Sequence, residues 1–158
     1  MKALLARVDE ILIPLLQRWS MPALRFSIAV VFIWFGTLKV LGVSPVVELV
    51  GATVYWVDPT WFVPFLGVVE VLLGIGLALG RARRMVLLVL VLQMIGTFLV
   101  FLILPEVTHQ DGNILILTTE GAYIFKNVVI LAAAMAIGSN LEVKHARIDA
   151  RQTESMSS

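Results

Sequence analysis

Four apolar runs, each close to the ~20 residues a helix needs to cross ~30 Å of hydrocarbon, constrain this 158-residue chain more than any other feature. They are Leu24 to Leu41, Trp61 to Leu79, Met85 to Leu104 and Glu120 to Ile137. The fourth is preceded by Ile114-Leu115-Ile116-Leu117, itself apolar, and its start is set at Thr119 as an N-cap before Glu120. With 59% apolar residues and a mean hydropathy of +0.97, the chain carries more hydrocarbon than a water-soluble core of this size hides. The predicted fold is an all-α membrane protein, a four-transmembrane-helix bundle whose solvent is the lipid bilayer.

The same composition narrows the chemistry. A formal net charge of +1 gives no electrostatic case for nucleic acid. Cysteine is absent, which removes disulfides, thiol relays, thiolate metal sites and iron-sulfur clusters together. Of the two histidines, His109 and His145 fall on opposite sides of the expected membrane, so they do not ligate a haem jointly. His109, Asp111 and Glu106 share one short loop and read as a chance cluster, with no metal site predicted. Gly74-Ile75-Gly76 and Gly80 follow no strand and precede no Lys-Ser/Thr pair, so they read as packing glycines rather than a phosphate loop.

Basic residues resist translocation and collect in cytoplasmic segments. Lys2, Arg7, Arg18 and Arg25 precede or open span one, Arg81, Arg83 and Arg84 form the turn between spans two and three, and Lys144, Arg147 and Arg151 follow span four. Only Lys39 and Lys126 stand outside that partition, and the loops 42–60 and 105–119 contain no basic residue. The expected topology is multi-pass in the cytoplasmic (inner) membrane, N-in and C-in. Residues 1–21 carry an apolar stripe through Leu4, Leu5, Val8, Ile11, Leu12, Leu15, Leu16 and Trp19, expected as an interfacial amphipathic helix bent at Pro14, or else as a docking helix for a partner. Asp9, Glu10, Pro14, Gln17 and Arg18 break the apolar run that a signal peptide would need. The transmembrane domain is expected over 22–138, with a polar, partly disordered tail over 139–158. In the first outer loop, Ser44-Pro45 reads as a cap and N1 proline opening a short helix within 46–57.

Ionisable groups inside a span cost about 2.5 to 3.5 kcal/mol each at the helix centre, so each needs a reason. Lys39 lies near the outer end of span one, Glu70 near mid-span two, Gln93 at similar depth on span three, and Lys126 inside span four. Helical spacing puts Arg25, Ala29, Phe32, Gly36 and Lys39 on one face, and Gly67, Glu70, Gly74 and Ala78 on another. Gln93, Gly96, Thr97 and Val100 share a third face, and Lys126, Val129, Ala133 and Ala136 a fourth. Gly36, Gly67, Gly74 and Gly96 are the expected helix-packing positions. The polar groups are expected to converge on an interior cluster in the outer half, with Asn127, Tyr123 and Trp34 as lining. Two ammoniums against one carboxylate leave an excess positive charge that a low-dielectric site does not keep unaided. Glu120, Glu48 or Asp58 approaches, or one lysine is neutral or wet, or the site holds an anion or a polar head such as a quinone carbonyl. Alternatively the Lys-Glu pair simply ties two helices together and Lys39 snorkels to the surface.

Arg25, Phe32-Ile33-Trp34-Phe35-Gly36-Thr37-Leu38-Lys39, Ser44-Pro45, Gly67-Val68-Val69-Glu70-Val71-Leu72-Leu73-Gly74 and Thr118-Thr119-Glu120-Gly121-Ala122-Tyr123-Ile124-Phe125-Lys126-Asn127 occur in that order. Over about Leu24 to Gly138 this pattern resembles the DoxX-like membrane proteins, and the Ser-Pro and Glu-Gly to Lys-Asn elements resemble the YkgB branch most. The resemblance implies a four-helix bundle in a superfamily linked to sulfur and quinone redox chemistry and to oxidant stress. It carries over to Gly36, Lys39, Glu70, Gly74 and Lys126. Without cysteine, thiol exchange as in related proteins has no chemistry here, so redox work would need a bound quinone or a partner subunit.

Three readings remain. One is an accessory or quinone-associated component of membrane redox or stress physiology. Another is a small transporter or permeability module, which with four helices needs a homo-oligomer. The last is a structural or assembly subunit of a larger membrane complex. No catalytic residue set is identified, and the reading leans away from an enzyme.

Overall fold

The computed structural model describes residues 2–80 and 83–140, without the side chains of 2–8, 11 and 83. The side chains of Leu4, Leu5, Val8 and Ile11 in the expected N-terminal stripe, the corner at Arg81 and the tail from 141 onward, including His145, lie outside what is described. Four helices are long and apolar enough to cross a membrane: Leu12–Val40, Pro59–Leu79, Arg84–Ile103 and Thr119–Asn140. All four expected spans are present, and this is an all-α integral membrane protein.

Helix α1 (Lys2–Val40) runs for 39 residues, with Pro14 and Pro22 inside it. At ~1.5 Å per residue it is nearly twice as long as the hydrocarbon core is thick. It has no interruption at Met21, where the sequence suggests a boundary between a surface helix and span one. After it come α2 (Val47–Thr53), lying against the next span, and then α3 (Pro59–Leu79). The third span comprises α4 (Arg83–Phe98) and α5 (Val100–Ile103), joined through Leu99 by continuing backbone bonds, followed by the single turn α6 (Pro105–Thr108). A two-stranded antiparallel hairpin, β1 (His109–Gln110) and β2 (Asn113–Leu117), leads into α7 (Thr119–Phe125), and after a turn at Lys126 the fourth span continues as helix over 127–140.

Helix α1 packs extensively against α3, and glycines set the spacing of that pair. A Cβ on Gly36 would stand 2.6 Å from the Gly67 carbonyl oxygen, a Cβ on Gly67 2.6 Å from that of Gly36, and a Cβ on Gly74 2.8 Å from that of Ala29. Only residues without a side chain let the two backbones meet here, the arrangement lipid favours when apolar burial no longer drives helices together. Near Gly80, Arg25 donates from Nε to the Leu77 carbonyl at 3.2 Å and from its guanidinium to that of Ala78 at 3.3 Å. A cation thereby meets the negative end of α3, where the Leu77 carbonyl also accepts from Gly80 N at 3.2 Å. All four spans contribute to a core of Ile28, Ala29 and Phe32, Leu73 and Leu77, Leu90 and Met94, and Ala133, Ala134 and Ile137.

Several local expectations are revised. Val46, not Ser44, is the N-cap of α2, and Pro45 lies in the preceding turn, with the Ser44 hydroxyl accepting weakly from Val46 N at 3.5 Å. Thr118 rather than Thr119 caps the fourth span, its hydroxyl accepting from Gly121 N at 3.0 Å. Ile114 to Leu117, which the expected start at Thr119 leaves outside that helix, forms a strand, because Asp111 (φ 51°) and Gly112 (φ 72°) adopt the left-handed conformations that reverse a hairpin. Gly121 presses on the Thr108 carbonyl, which accepts from Thr118 N at 3.1 Å, so the hairpin is fastened to the head of the fourth span.

At the start of α3, Asp58 accepts from Thr60 N at 2.9 Å and from the Thr60 hydroxyl at 2.8 Å, with Pro59 in the first turn. The Thr60 N–H and hydroxyl hold the Asp58 carboxyl below its ordinary range. A lowered folded-state value stabilises above the unfolded value and is lost as pH falls through the folded one. The melting-temperature advantage of the wild type over Asp58→Ala should therefore be full at neutral pH and shrink below about pH 4. Thermal unfolding of both proteins at neutral and acidic pH measures it, and an advantage independent of pH would show that the cap does not act through the carboxylate.

Candidate functional site

The stripe on α1 keeps its face: Ala29, Phe32, Gly36 and Lys39 are all buried, and Lys39 occupies the last turn. Because the glycines let α1 sit against α3, the Lys39 ammonium reaches the Glu70 carboxylate directly, and Lys39 Nζ donates to Glu70 Oε1. Both side chains are about nine-tenths buried, at 9% relative exposure each, and theirs is the only ion pair among the described residues. From α4, Gln93 Nε2 donates to the same Oε1 at 2.6 Å. Amide nitrogen and oxygen are distinguished here by that partner, since a carboxylate only accepts. Thr97, one turn on, donates its hydroxyl back to the Gln93 carbonyl at 3.0 Å.

One carboxylate oxygen thus takes two donors while the other takes none. Glu70 Oε2 and Gln93 Oε1 are buried without a hydrogen-bond partner. Each unpaired acceptor costs about 1 to 3 kcal/mol in a buried setting, so the triad is under-satisfied.

The triad lies on the wall of a partly open cavity of about 530 Å³ lined by the four spans and α2. That volume falls in the range of small-molecule sites. Phe35, Leu66, Met94, Val100, Ile124 and Ile130 form much of its apolar lining, and α2 supplies Leu49, Val50 and Thr53. Lys39, Glu70, Gln93, Tyr123, Lys126 and Asn127 give it polar points, so six of the seven residues expected in the cluster meet around one space.

Trp34 does not join them. It is 65% exposed and absent from the cavity wall, because it stands off the Ala29, Phe32, Gly36, Lys39 stripe. Gly96 is also reassigned: a Cβ there would meet nothing within 4 Å, and the residue lines the cavity instead of a helix contact. In the fourth span the packing face is Ile124, Ala133, Ala134 and Ile137, while Lys126 and Val129 are exposed. The turn at Lys126, where Val129 N bonds the Lys126 carbonyl at 3.0 Å, breaks the regular phase. Lys126 Nζ sits 3.7 Å from the centroid of the Tyr123 ring, and that ring meets Phe35 edge-on at 6.0 Å. Glu48, Asp58 and Glu120 are exposed and pair with neither lysine, so the excess positive charge stays with Lys126. Phe35, Thr53 and Thr97 are contributors that sequence reasoning did not single out for the site. Of these Thr97 carried a signal, through the helical face it shares with Gln93.

Fold and site together define a cysteine-free, four-span helical membrane protein with a buried Lys-Glu-Gln triad beside an interior cavity. The DoxX family model matches residues 20–103, more than half of the chain, and the chain belongs to the DoxX family. The matched stretch contains the whole triad, while Tyr123 and Lys126 lie beyond it. No curated protein and no solved structure gives a significant match.

Proposed function

We propose that this DoxX-family protein binds a lipid-soluble amphiphile of the quinone class in its interior cavity, as an accessory component of membrane redox or oxidative-stress physiology. The observation that carries the reading is the cavity itself, apolar over most of its wall and polar where the triad stands. Such a lining suits a molecule with a hydrocarbon body and a compact polar head. With no cysteine in the chain, electrons would be carried by the bound molecule or a partner subunit, and the protein's part is to hold and orient the head. The distribution of Lys and Arg supports placement in the cytoplasmic membrane with both ends inside, which puts the cavity toward the outer leaflet. The Ser44-Pro45 and Glu120-Gly121 to Lys126-Asn127 elements support the YkgB branch within the family.

Purification in a mild detergent, followed by extraction and mass spectrometry, should find a stoichiometric isoprenoid or aromatic amphiphile. Gly96→Phe, which projects into open space at the cavity wall, should reduce its occupancy severalfold while leaving the protein folded. No co-purifying molecule, and no uptake of added quinone, would remove the reading.

A further inference from the structure

The two unpartnered atoms in the triad are of one kind. Glu70 Oε2 and Gln93 Oε1 are both acceptors, and the cavity wall also presents the Lys39 ammonium, which has three N–H groups and donates to Glu70. A head group that only accepts, such as a carbonyl, would take a bond from Lys39 and leave both acceptors bare. A hydroxyl does two things at once, donating through its hydrogen and accepting through its oxygen. Both orphan atoms are closed to a water-sized molecule, so a hydroxyl meets one of them only as its side chain turns. The terminal torsions of Glu and Gln are broad, which allows such a turn.

Resting on the amphiphile reading above, we infer that the site selects a hydroxyl-bearing head group over a carbonyl-bearing one, and so the reduced quinol over the oxidised quinone. The hydroxyl donates to one free acceptor, on Glu70 or on Gln93, while its oxygen accepts from Lys39. The cavity's apolar wall holds the ring and chain alike in either redox state, so discrimination falls on the head alone.

The test uses the full-length protein in nanodiscs and five probes under anaerobic conditions: a short-chain benzoquinone, its quinol, the quinol's dimethyl ether, a 4-alkylphenol and the matching 4-alkylanisole. Binding is read by native mass spectrometry and equilibrium dialysis. Quinol and phenol should bind about tenfold or more tighter than quinone, dimethyl ether and anisole, the scale of a hydrogen bond to a charged group. Gln93→Met, which leaves the ion pair in place, should narrow the gap severalfold, and Glu70→Gln should narrow it further. Equal binding of quinone and quinol would overturn the inference and leave the quinone-class function standing. Tight phenol binding with neither quinone nor quinol bound would keep the hydroxyl preference and sink the quinone class. No binding of any probe would overturn both, leaving the orphan acceptors to internal rearrangement.

Discussion

Replacing Glu70 with glutamine should destabilise the protein by about 3 kcal/mol or more, because it leaves the Lys39 ammonium buried without its carboxylate. Lys39→Met should cost a similar amount by leaving the carboxylate with Gln93 as its one remaining donor. The pair replaced together should behave differently. Lys39→Met with Glu70→Gln removes both charges, keeps the volumes close, and leaves an amide carbonyl that still accepts from Gln93 Nε2. Desolvation of two ions, which opposes their attraction in a dry interior, disappears in that protein. The double variant should regain at least half of the larger single loss, and its stability should be sub-additive by more than 1 kcal/mol. Equilibrium unfolding in mixed micelles of the four proteins closes the cycle. Strict additivity would show that the two side chains do not depend on each other, and that their proximity is incidental to the fold.

The pairing behind that expectation is legible in the sequence, and the reason is physical. Charges inside hydrocarbon are costly, so Lys39, Glu70 and Gln93 had to face inward, and helical spacing told which small residues shared their faces. Span positions were legible for a similar reason, since the membrane's thickness fixes the length of each apolar run. What stayed hidden is whatever lipid leaves degenerate. Trp34 is as content against acyl chains as in a cavity, so its apolar bulk does not say which way it faces, and it faces out. Gly96 looked like Gly36 in composition but has no helix opposite it. The fourth span slipped phase at Lys126, and no helix-breaking residue marks the slip. The hairpin was different: Asp111-Gly112 is a known reversal signal, and the apolar run after it reads equally as strand or helix until that signal is weighed. The length of α1 was obscured by Pro14 and Pro22, which suggest a break that the continuous helix does not make.

The triad exists only because two helices come unusually near, which makes Gly36 the position of largest expected effect outside the charges. Gly36→Ala places a methyl group 2.6 Å from the Gly67 carbonyl oxygen and 2.9 Å from both the Val71 nitrogen and Glu70 Cβ. Two of those three neighbours are backbone, so rotation of a flexible side chain does not relieve the contact, and α1 must move away from α3. Overpacking of this kind costs about 1 to 3 kcal/mol, and Gly36→Val should cost more, since its second and third carbons enter the same space. Separation would also lengthen the reach from Lys39 to Glu70, so the damage should extend to the site: in Gly36→Ala, further loss on adding Glu70→Gln should be smaller than in the wild type. Gly96→Ala serves as the matched control, with nothing within 4 Å of the added carbon, and should change stability by less than about 1 kcal/mol or raise it slightly through helix propensity. The melting curves of these variants, of Glu70→Gln alone and of the wild type decide the matter. Equal effects at Gly36 and Gly96 would mean that both substitutions act through helix propensity alone, and that the close approach of α1 and α3 does not hold Lys39 against Glu70.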